Sequence, residues 1–334
     1  MKTLRLSADN IGIKSACEIL KNGGVVGIPT ETVYGLAANA YDSEAIAKIF
    51  TAKGRPQDNP LIVHISDTNM LYDLAAEIPK TALALAERFW PGPLTMVFKK
   101  TEKVPSAVSA GLDTVAVRMP SNKTARSIIE ESGLPLAAPS ANISGSPSPT
   151  TANHVLCDLD GKIDAVVMGE DCTVGVESTV ITLVGEHPML LRPGGVTLEQ
   201  LKEILPDIEV NRAVLSELKA GETAASPGMK YKHYAPKTET FLVEGECFAD
   251  FVNGKSQAVA ICFSEEADQI TIPKIVYGSN SNQETLAQSI FAVLRDVDSL
   301  DAKAVYIHAP QKSGIGLAVY NRLIRAAAFK VIKL

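Results

Sequence analysis

The chain has little of what marks secreted, membrane-spanning or zinc-binding proteins. Its five cysteines are odd in number, scattered and without a C-x-x-C pair, which favours a reducing compartment and argues against structural zinc. Apolar runs such as residues 258–263 are far too short to span a bilayer. No apolar signal core follows the first charges, so secretion is not expected. These absences predict a soluble, cytoplasmic protein that does not enter a membrane.

An excess of positive charge is also missing. The net charge is −6, and aromatic residues make up 5% of the chain. The one tryptophan, Trp90, is expected in the core. Proteins that coat nucleic acid non-specifically need a broad cationic surface, so that class of function is disfavoured. A local basic pocket remains compatible with this balance.

Several well-known catalytic motifs are absent from the sequence. There is no G-x-S-x-G and no H-E-x-x-H, which excludes the common hydrolase triads and zinc peptidases. A P-loop ending in Gly254-Lys255-Ser256 would need glycine where Ala249 stands. A dinucleotide-binding turn at Gly314-Ile315-Gly316 would need glycine or alanine where Val319 stands.

The length and composition are those of an ordinary globular protein with two domains. The chain has 334 residues, of which 46% are hydrophobic and 21% charged. Residues 221–228 are rich in small residues and turn formers, which is typical of a linker. We predict a first domain at 1–214, a linker at 215–237 and a second domain at 238–334.

Short β-rich runs alternate with helical patterns in the first two thirds, which predicts an α/β layered fold. The predicted strands are 25–28, 61–66, 94–98, 114–119, 136–138, 165–168 and 178–183. Asp42 or Ser43 is expected to cap a helix that ends at Gly54, which places Lys53 in its last turn. A capping box at 197–200 predicts another helix start.

The second domain has the pattern of a small, largely parallel α/β unit. Its predicted strands are 258–263, 275–277, 304–308 and 330–334, and its predicted helices are 282–297 and 317–328.

Two polar residues lie on predicted strands where apolar residues would be expected. Side chains alternate between the faces of a strand, so His64 lies opposite Leu61, Val63 and Ile65. By the same rule Arg118 lies opposite its apolar neighbours. A buried arginine needs an anionic partner, which is either a structural carboxylate or a ligand.

Three loops add cations and hydrogen-bond donors. Lys53-Gly54-Arg55-Pro56 follows a helix, and Arg192-Pro193-Gly194 forms a tight turn after a strand. Residues 140–150 are rich in serine and follow a buried strand, at the edge where open α/β sheets bind ligands. Each segment alone has an ordinary explanation as a turn, a solvated charge or a helix-dipole partner. Together they predict that Lys53, Arg55, Arg118 and Arg192 converge on one donor-rich pocket.

These motifs, in this order, resemble those of the threonylcarbamoyl-AMP synthases of the YrdC/YwlC family. The matching stretches are Pro29-Thr30-Glu31-Thr32-Val33-Tyr34-Gly35-Leu36, Lys53-Gly54-Arg55-Pro56, Pro139-Ser140-Ala141-Asn142-Ile143-Ser144-Gly145, Glu177-Ser178-Thr179-Val180 and Leu191-Arg192-Pro193-Gly194. Residues 226–236 resemble the linker of the longer, two-domain members. The resemblance covers nearly the whole chain.

The resemblance implies a fold and a reaction. The first domain would be a twisted mixed sheet with flanking helices and an open cationic cavity, and the second a small Rossmann-like α/β domain. L-Threonine would capture bicarbonate as an N-carboxylate that attacks the α-phosphorus of ATP and expels pyrophosphate, with Mg²⁺ expected as a helper. A separate enzyme would pass the threonylcarbamoyl group to tRNA, so tRNA is a partner only indirectly. The chain is expected to act as a monomer.

The resemblance also implies a role for individual residues. The threonine pocket would consist of Thr32, His64, Arg118, Ser178 and the backbone at Ala138. The ATP contacts would come from Arg55, Asn59, Thr114, Ser140, Ser148, Arg192 and Tyr234. Lys53 and Asn142 would lie near the phosphates or bicarbonate.

Two hypotheses concern steps that no motif settles. His64 could accept the proton that the amine of threonine loses, because the intrinsic pKa of histidine is near neutral. Lys230, Lys232, His233 and Tyr234 in the linker could close over the nucleotide as a lid. Full activity of residues 1–210 alone would show that such a lid is dispensable.

Two other functions fit the same pocket. An RNA- or ribosome-binding translation factor would use the cations to contact a phosphate backbone, although stacking aromatics would then be expected. A transferase dependent on carbamoyl phosphate would keep the pocket and change the reaction.

Overall fold

The computed structural model describes residues 2–217, 234–300 and 302–334. In these ranges a large, twisted mixed sheet holds the strands of residues 4–210, in the order β1-β8-β2-β3-β7-β4-β6-β5-β9-β10-β11. The strands are β1 (Leu4–Ser7), β2 (Val26–Ile28), β3 (Gly35–Asn39), β4 (Ile62–His64), β5 (Leu94–Lys99), β6 (Thr114–Arg118), β7 (Leu136–Ala137), β8 (Ala165–Met168), β9 (Thr179–Thr182), β10 (Met189–Arg192) and β11 (Glu209–Val210).

Helices pack on this sheet and bury its apolar faces. They are α1 (Asn10–Lys21), α2 (Ser43–Lys53), α3 (Leu71–Leu74), α4 (Lys80–Phe89), α5 (Ser106–Ser109), α6 (Lys123–Ser132), α7 (Ala152–Leu159) and α8 (Leu198–Lys202). The predicted capping holds: the Asp42 carboxylate accepts from Glu44 and Ala45 at the start of α2, and Gly54 ends the helix in the left-handed conformation. Thr197 and Gln200 form the predicted capping box of α8.

The second sheet, predicted to be largely parallel, is entirely so in the described ranges, with the order β14-β13-β15-β12-β16. Its strands are β12 (Glu239–Glu244), β13 (Ala258–Cys262), β14 (Lys274–Val276), β15 (Ala304–His308) and β16 (Val331–Lys333). The helices beside it are α9 (Phe248–Asn253), α10 (Gln283–Asp296) and α11 (Gly316–Ala326). Among the described residues, every helix is too short or too polar to traverse a lipid bilayer.

All the predicted strands are present, most within one or two residues at either end. Strands β1, β3, β11 and β12 were not predicted, and β10 was predicted only as an unbounded strand before Arg192. Strand β3 has the sequence Gly-Leu-Ala-Ala-Asn, which carries little intrinsic β preference. It is a strand because β2 pairs with one of its edges and β7 with the other.

Strand register brings the two polar strand residues side by side. Strands β4 and β6 run parallel, and His64 lies directly opposite Arg118. Val63 and Val117 are opposite each other one position earlier and face the main core. The predicted alternation therefore holds, and it places an imidazole and a guanidinium on the same face of adjacent strands.

The two sheets share a hydrophobic contact. One core cluster contains Val33 and Val176 from the first sheet region together with apolar residues of α10 and α11. The backbone of α10 approaches Gly175 so closely that a Cβ on this glycine would lie 2.3 Å from the Ala287 carbonyl oxygen.

We expect Gly175→Ala to destabilise the protein by about 2–4 kcal/mol, since it combines overpacking with a backbone φ of +80°. Gly54→Ala is the matched control, because its φ is +59° and no atom lies within 4 Å of the added Cβ. This control should cost only about 1–2 kcal/mol. Urea denaturation measures both. Equal losses for the two variants would show that α10 does not hold its place against Gly175.

Candidate active site

A single pocket collects residues from distant parts of the chain. It lies at the ends of β4, β6, β9 and β10 and against the loops that follow α2 and β7. Its lining residues are Thr30, Thr32, Val33, Gly35, Lys53, Arg55, Ile62, His64, Arg118, Ala138, Pro139, Ser140, Asn142, Ser144, Gly145, Ser146, Glu177, Ser178, Arg192 and Tyr234. The four cations predicted to converge all lie in this lining, against a single carboxylate among the described residues.

Arg118 is held from several sides at the pocket wall. Its Nη2 atom lies 2.6 Å from Oε1 of Glu31, and Nη1 donates to the Thr32 hydroxyl at 2.8 Å. Nε donates to the carbonyl oxygen of Gly92. Burial alone would raise the pKa of Glu31, but the adjacent guanidinium lowers it below its ordinary value, so the pair is ionised. Arg118 is thus fixed in orientation, and it has the structural partner that its buried position requires.

Arg192 lies in the lining of the same pocket. Its Nε donates to the backbone oxygen of Ser178 at 3.0 Å, and Nη2 donates to the Ser178 hydroxyl at 3.1 Å. The Ser178 hydroxyl also lies 2.8 Å from Oγ1 of Thr95. Burial and the nearby Arg322 guanidinium lower the pKa of Arg192 to about 10, which keeps it charged at neutral pH.

Lys53 makes hydrogen bonds to the backbone of the loop that follows β7. Its ammonium donates to the backbone oxygen of Asn142 at 2.6 Å and to that of Ser140. Burial and the Arg55 cation lower the pKa of Lys53 well below its ordinary value. The hydrogen bonds from Lys53 tie the end of α2 to the loop after β7, and this contact shapes the pocket edge.

His64 is buried with an unsatisfied ring nitrogen. Its Nδ1 has no hydrogen-bond partner among the described residues. Burial, reinforced by the Arg118 cation, lowers the pKa of His64 to about 3. The ring is therefore neutral at physiological pH. An imidazole whose conjugate acid has so low a pKa is a weak base near pH 7, which argues against His64 as the general base and leaves the hypothesis to the pH–rate profile of a His64 variant.

Three residues that the resemblance assigned to ATP are absent from the lining. Asn59 is fully buried, and its amide has no partner among the described residues, while its backbone oxygen accepts from Arg55 at 3.1 Å. Thr114 lies at the far end of β6 from Arg118. Ser148 lies behind the lining, where its hydroxyl donates to Glu177 at 2.5 Å.

The linker hypothesis falls largely outside the described residues. Lys230, Lys232 and His233 are among the residues that the structure does not describe. Tyr234 is described: it is buried, lines the pocket and packs against the Phe291 ring with centroids 5.1 Å apart.

Sequence reasoning gave no role to Glu31 and Glu177, the two buried carboxylates that hold pocket residues. Both lie in the quoted motifs, each directly before a residue that was assigned to threonine. A carboxylate inside an otherwise apolar or hydroxyl-rich motif was the one sequence feature that could have indicated such a role.

Within the described residues no group of three or more histidine, cysteine, aspartate or glutamate side chains could hold a metal ion. The part of the chain that the structure describes therefore holds no carboxylate cage of the kind that would fix Mg²⁺ by itself.

The fold and pocket define an α/β protein with a buried, cation-lined site of the kind that accommodates multiply charged anions. The family model of Sua5, YciO and YrdC, described as "Telomere recombination", matches residues 18–194. The model "Threonylcarbamoyl-AMP synthase, C-terminal domain" matches residues 196–328.

Similar proteins match nearly the whole chain. Threonylcarbamoyl-AMP synthase of Pyrococcus abyssi is 45% identical over 96% of this chain and 95% of its own. That of Bacillus subtilis is 42% identical over 99% of this chain and 97% of its own. The crystal structure of P. abyssi Sua5 complexed with L-threonine superposes with a TM-score of 0.91 at 42% identity, over 100% of both chains. The chain belongs to the Sua5/YrdC family of threonylcarbamoyl-AMP synthases and is an enzyme.

Proposed function

We propose that this enzyme makes L-threonylcarbamoyl-AMP from L-threonine, bicarbonate and ATP, with release of pyrophosphate, for the threonylcarbamoyl-adenosine modification of tRNA. The observation that carries the proposal is the convergence of Lys53, Arg55, Arg118 and Arg192 on one pocket. A P. abyssi relative in the same fold has been crystallised with L-threonine, which supports the amino-acid half of the proposal.

The threonine side of the pocket is the wall formed by β4 and β6. The planar fork of Arg118 suits the two oxygens of an amino-acid carboxylate, and Glu31 holds that fork in place. Thr32 and Ser178 supply hydroxyls, and the unpaired Nδ1 of His64 is available to a polar group of the substrate. The backbone at Ala138 closes this side, with a methyl group instead of a hydroxyl.

The nucleotide side is the wall formed by the loops after α2, β7 and β10. Arg55, Ser140, Arg192 and Tyr234 line it, and Lys53 and Asn142 shape the edge nearest the phosphates. Asn59, Thr114 and Ser148 stay assigned to ATP by resemblance, although none of them is in the lining.

The chemistry needs positive charge more than it needs a strong acid or base. An oxygen of the N-carboxylate forms a bond to the α-phosphorus of ATP, and the bond from that phosphorus to the bridging oxygen of pyrophosphate breaks. Both reactants are anions, so fixed cations lower their mutual repulsion and stabilise the charge that develops. A Mg²⁺ ion, where used, would bind through the phosphates of the nucleotide, because the described residues form no metal-binding cluster.

Pyrophosphate release is the direct assay. ATP should release pyrophosphate only when L-threonine and bicarbonate are both present. Release that needs neither, or tight RNA binding without any release, would favour the RNA- or ribosome-binding alternative. Carbamoyl phosphate replacing bicarbonate and ATP together would favour the third function. We further propose that the enzyme acts in the cytoplasm as a monomer and delivers its product to a separate tRNA-modifying enzyme.

His64→Gln tests the role of the imidazole. Because the pKa of His64 is about 3, the ring is neutral throughout pH 6–9, and the variant should keep the shape of the pH–rate profile. The KM for threonine should rise by roughly tenfold, the worth of one hydrogen bond in a buried site. Loss of one limb of the profile near pH 6–7 would restore His64 as the general base.

A further inference from the structure

An arginine from the second sheet region reaches the wall of the pocket. Arg322 lies on α11 and is fully buried. Its Nε donates to Oε2 of Glu177 at 2.8 Å, and Glu177 is one of the residues lining the pocket. Arg322 is remote in sequence from every pocket motif, yet it contacts a residue that lines the pocket.

Arg322 also holds two pocket loops by their backbones. Its Nη1 donates to the carbonyl oxygen of Pro193 at 2.7 Å, and its Nη2 donates to that of Glu177 at 3.2 Å. Pro193 follows Arg192, and Glu177 precedes Ser178. The guanidinium therefore fixes the segments that carry Arg192 and Ser178, which bond directly to each other at the paired ends of β10 and β9.

Charge gives Arg322 a second effect on the site. Glu177 is the one carboxylate among the described lining residues, and its other oxygen accepts from Ser148 at 2.5 Å. Burial acts to raise the pKa of Glu177, but Arg322 first and Arg192 second lower it below its ordinary value, so the carboxylate is ionised. An uncompensated buried anion at this position would repel a triphosphate and would draw Arg192 away from it.

We propose that Arg322 is a positioning residue for the nucleotide: it neutralises Glu177 and holds the Arg192 and Ser178 segments in their binding positions. The second domain then contributes to ATP binding itself as well as to stability. The inference rests on the proposed function, since it requires that ATP binds in this pocket.

A second, partly buried ion pair joins the same two regions and serves as a control. Arg295 of α10 makes a two-pronged pair with Asp158 of α7, at 3.0 and 2.8 Å. Asp158 is absent from the pocket lining. Asp158→Asn therefore weakens the contact between the regions without removing a charge from the pocket lining.

The test is the dissociation constant of ATP, measured by calorimetry on the full-length protein without turnover. Arg322→Met should weaken ATP binding by at least about tenfold, and Asp158→Asn by less than about threefold. The double variant Glu177→Gln/Arg322→Met should regain at least half of the lost affinity on a logarithmic scale. Thermal unfolding of each variant separates stability from binding.

The rescue decides between positioning and mere structural support. A structural role alone would leave the double variant binding ATP no better than Arg322→Met, and that result would overturn the inference. Wild-type affinity in Arg322→Met would overturn it as well. Should Arg322→Met fail to fold, Arg322→Gln with and without Glu177→Gln gives the same comparison with a polar side chain. Absence of ATP binding in the wild-type protein would refute the proposed function instead.

Discussion

Arg118→Met should lower kcat/KM for threonine by about 10²- to 10³-fold, the cost of truncating one partner of a buried charge pair. The substitution removes the group that we assign to the carboxylate of threonine and leaves Glu31 buried without its cation. Steady-state pyrophosphate release at varied threonine concentration measures the effect.

Two comparisons separate binding from stability in this experiment. ATP affinity of Arg118→Met should change by less than about fivefold, because we assign the nucleotide side to other lining residues. Arg88→Met removes an exposed arginine of α4 and should leave every parameter unchanged. Equal losses in threonine and ATP affinity would mean that Arg118 maintains the fold of the pocket and does not grip the amino acid.

Arg192→Met should have the converse effect. The guanidinium lines the pocket, and we assign it to the nucleotide side, so ATP affinity should fall by about 30- to 300-fold. Threonine affinity should fall less, through the lost hydrogen bonds to Ser178. Calorimetric titration with ATP measures the main effect.

Arg192→Lys is the matched variant for this position. It keeps the charge and loses the planar fork, so its ATP affinity should lie between those of the wild type and Arg192→Met. If Arg192→Met binds ATP as tightly as the wild type does, the triphosphate does not contact Arg192. The assignment of Arg192 to the nucleotide side would then be wrong.

Much of the fold was accessible from local patterns in the sequence. Strands such as β6 and β15 have bounds close to those that hydrophobic periodicity predicts, and α2 starts and ends at its predicted caps. The strands that were missed depend on their partners. Strand β3 is poor in β-branched residues, and β11 has two exposed residues paired to β10. Pairing decides the structure at such positions, and pairing is not a local property.

The sequence was enough to predict the cations that line the pocket, but not the residues that hold them from behind. Alternation along β4 and β6 was enough to place His64 and Arg118 on one face, as the register shows. Nothing local indicated that Arg322, on a helix of the second domain, would pair with Glu177. The pKa of His64 was equally out of reach, because burial beside Arg118 appears only when the strands are assembled.

The residues that hold the pocket differ in kind from those expected to contact ligands. Glu31 fixes Arg118, Glu177 joins Ser148 to Arg322, and Lys53 ties a helix end to a loop. These buried charges have hydrogen-bonding or ionic partners within the protein. The ligand-facing groups are therefore held in place before any substrate binds, which reduces the reorganisation that catalysis requires.

The central claim is that one pocket joins threonine, bicarbonate and ATP. Mass spectrometry of the reaction products in ¹³C-bicarbonate tests it most directly, with wild type and Arg118→Met compared side by side. We predict an adenylate that contains threonine and one ¹³C atom, formed by the wild type only when all three substrates are present and nearly abolished in Arg118→Met. An adenylate without the label, or pyrophosphate released without threonine, would contradict the account.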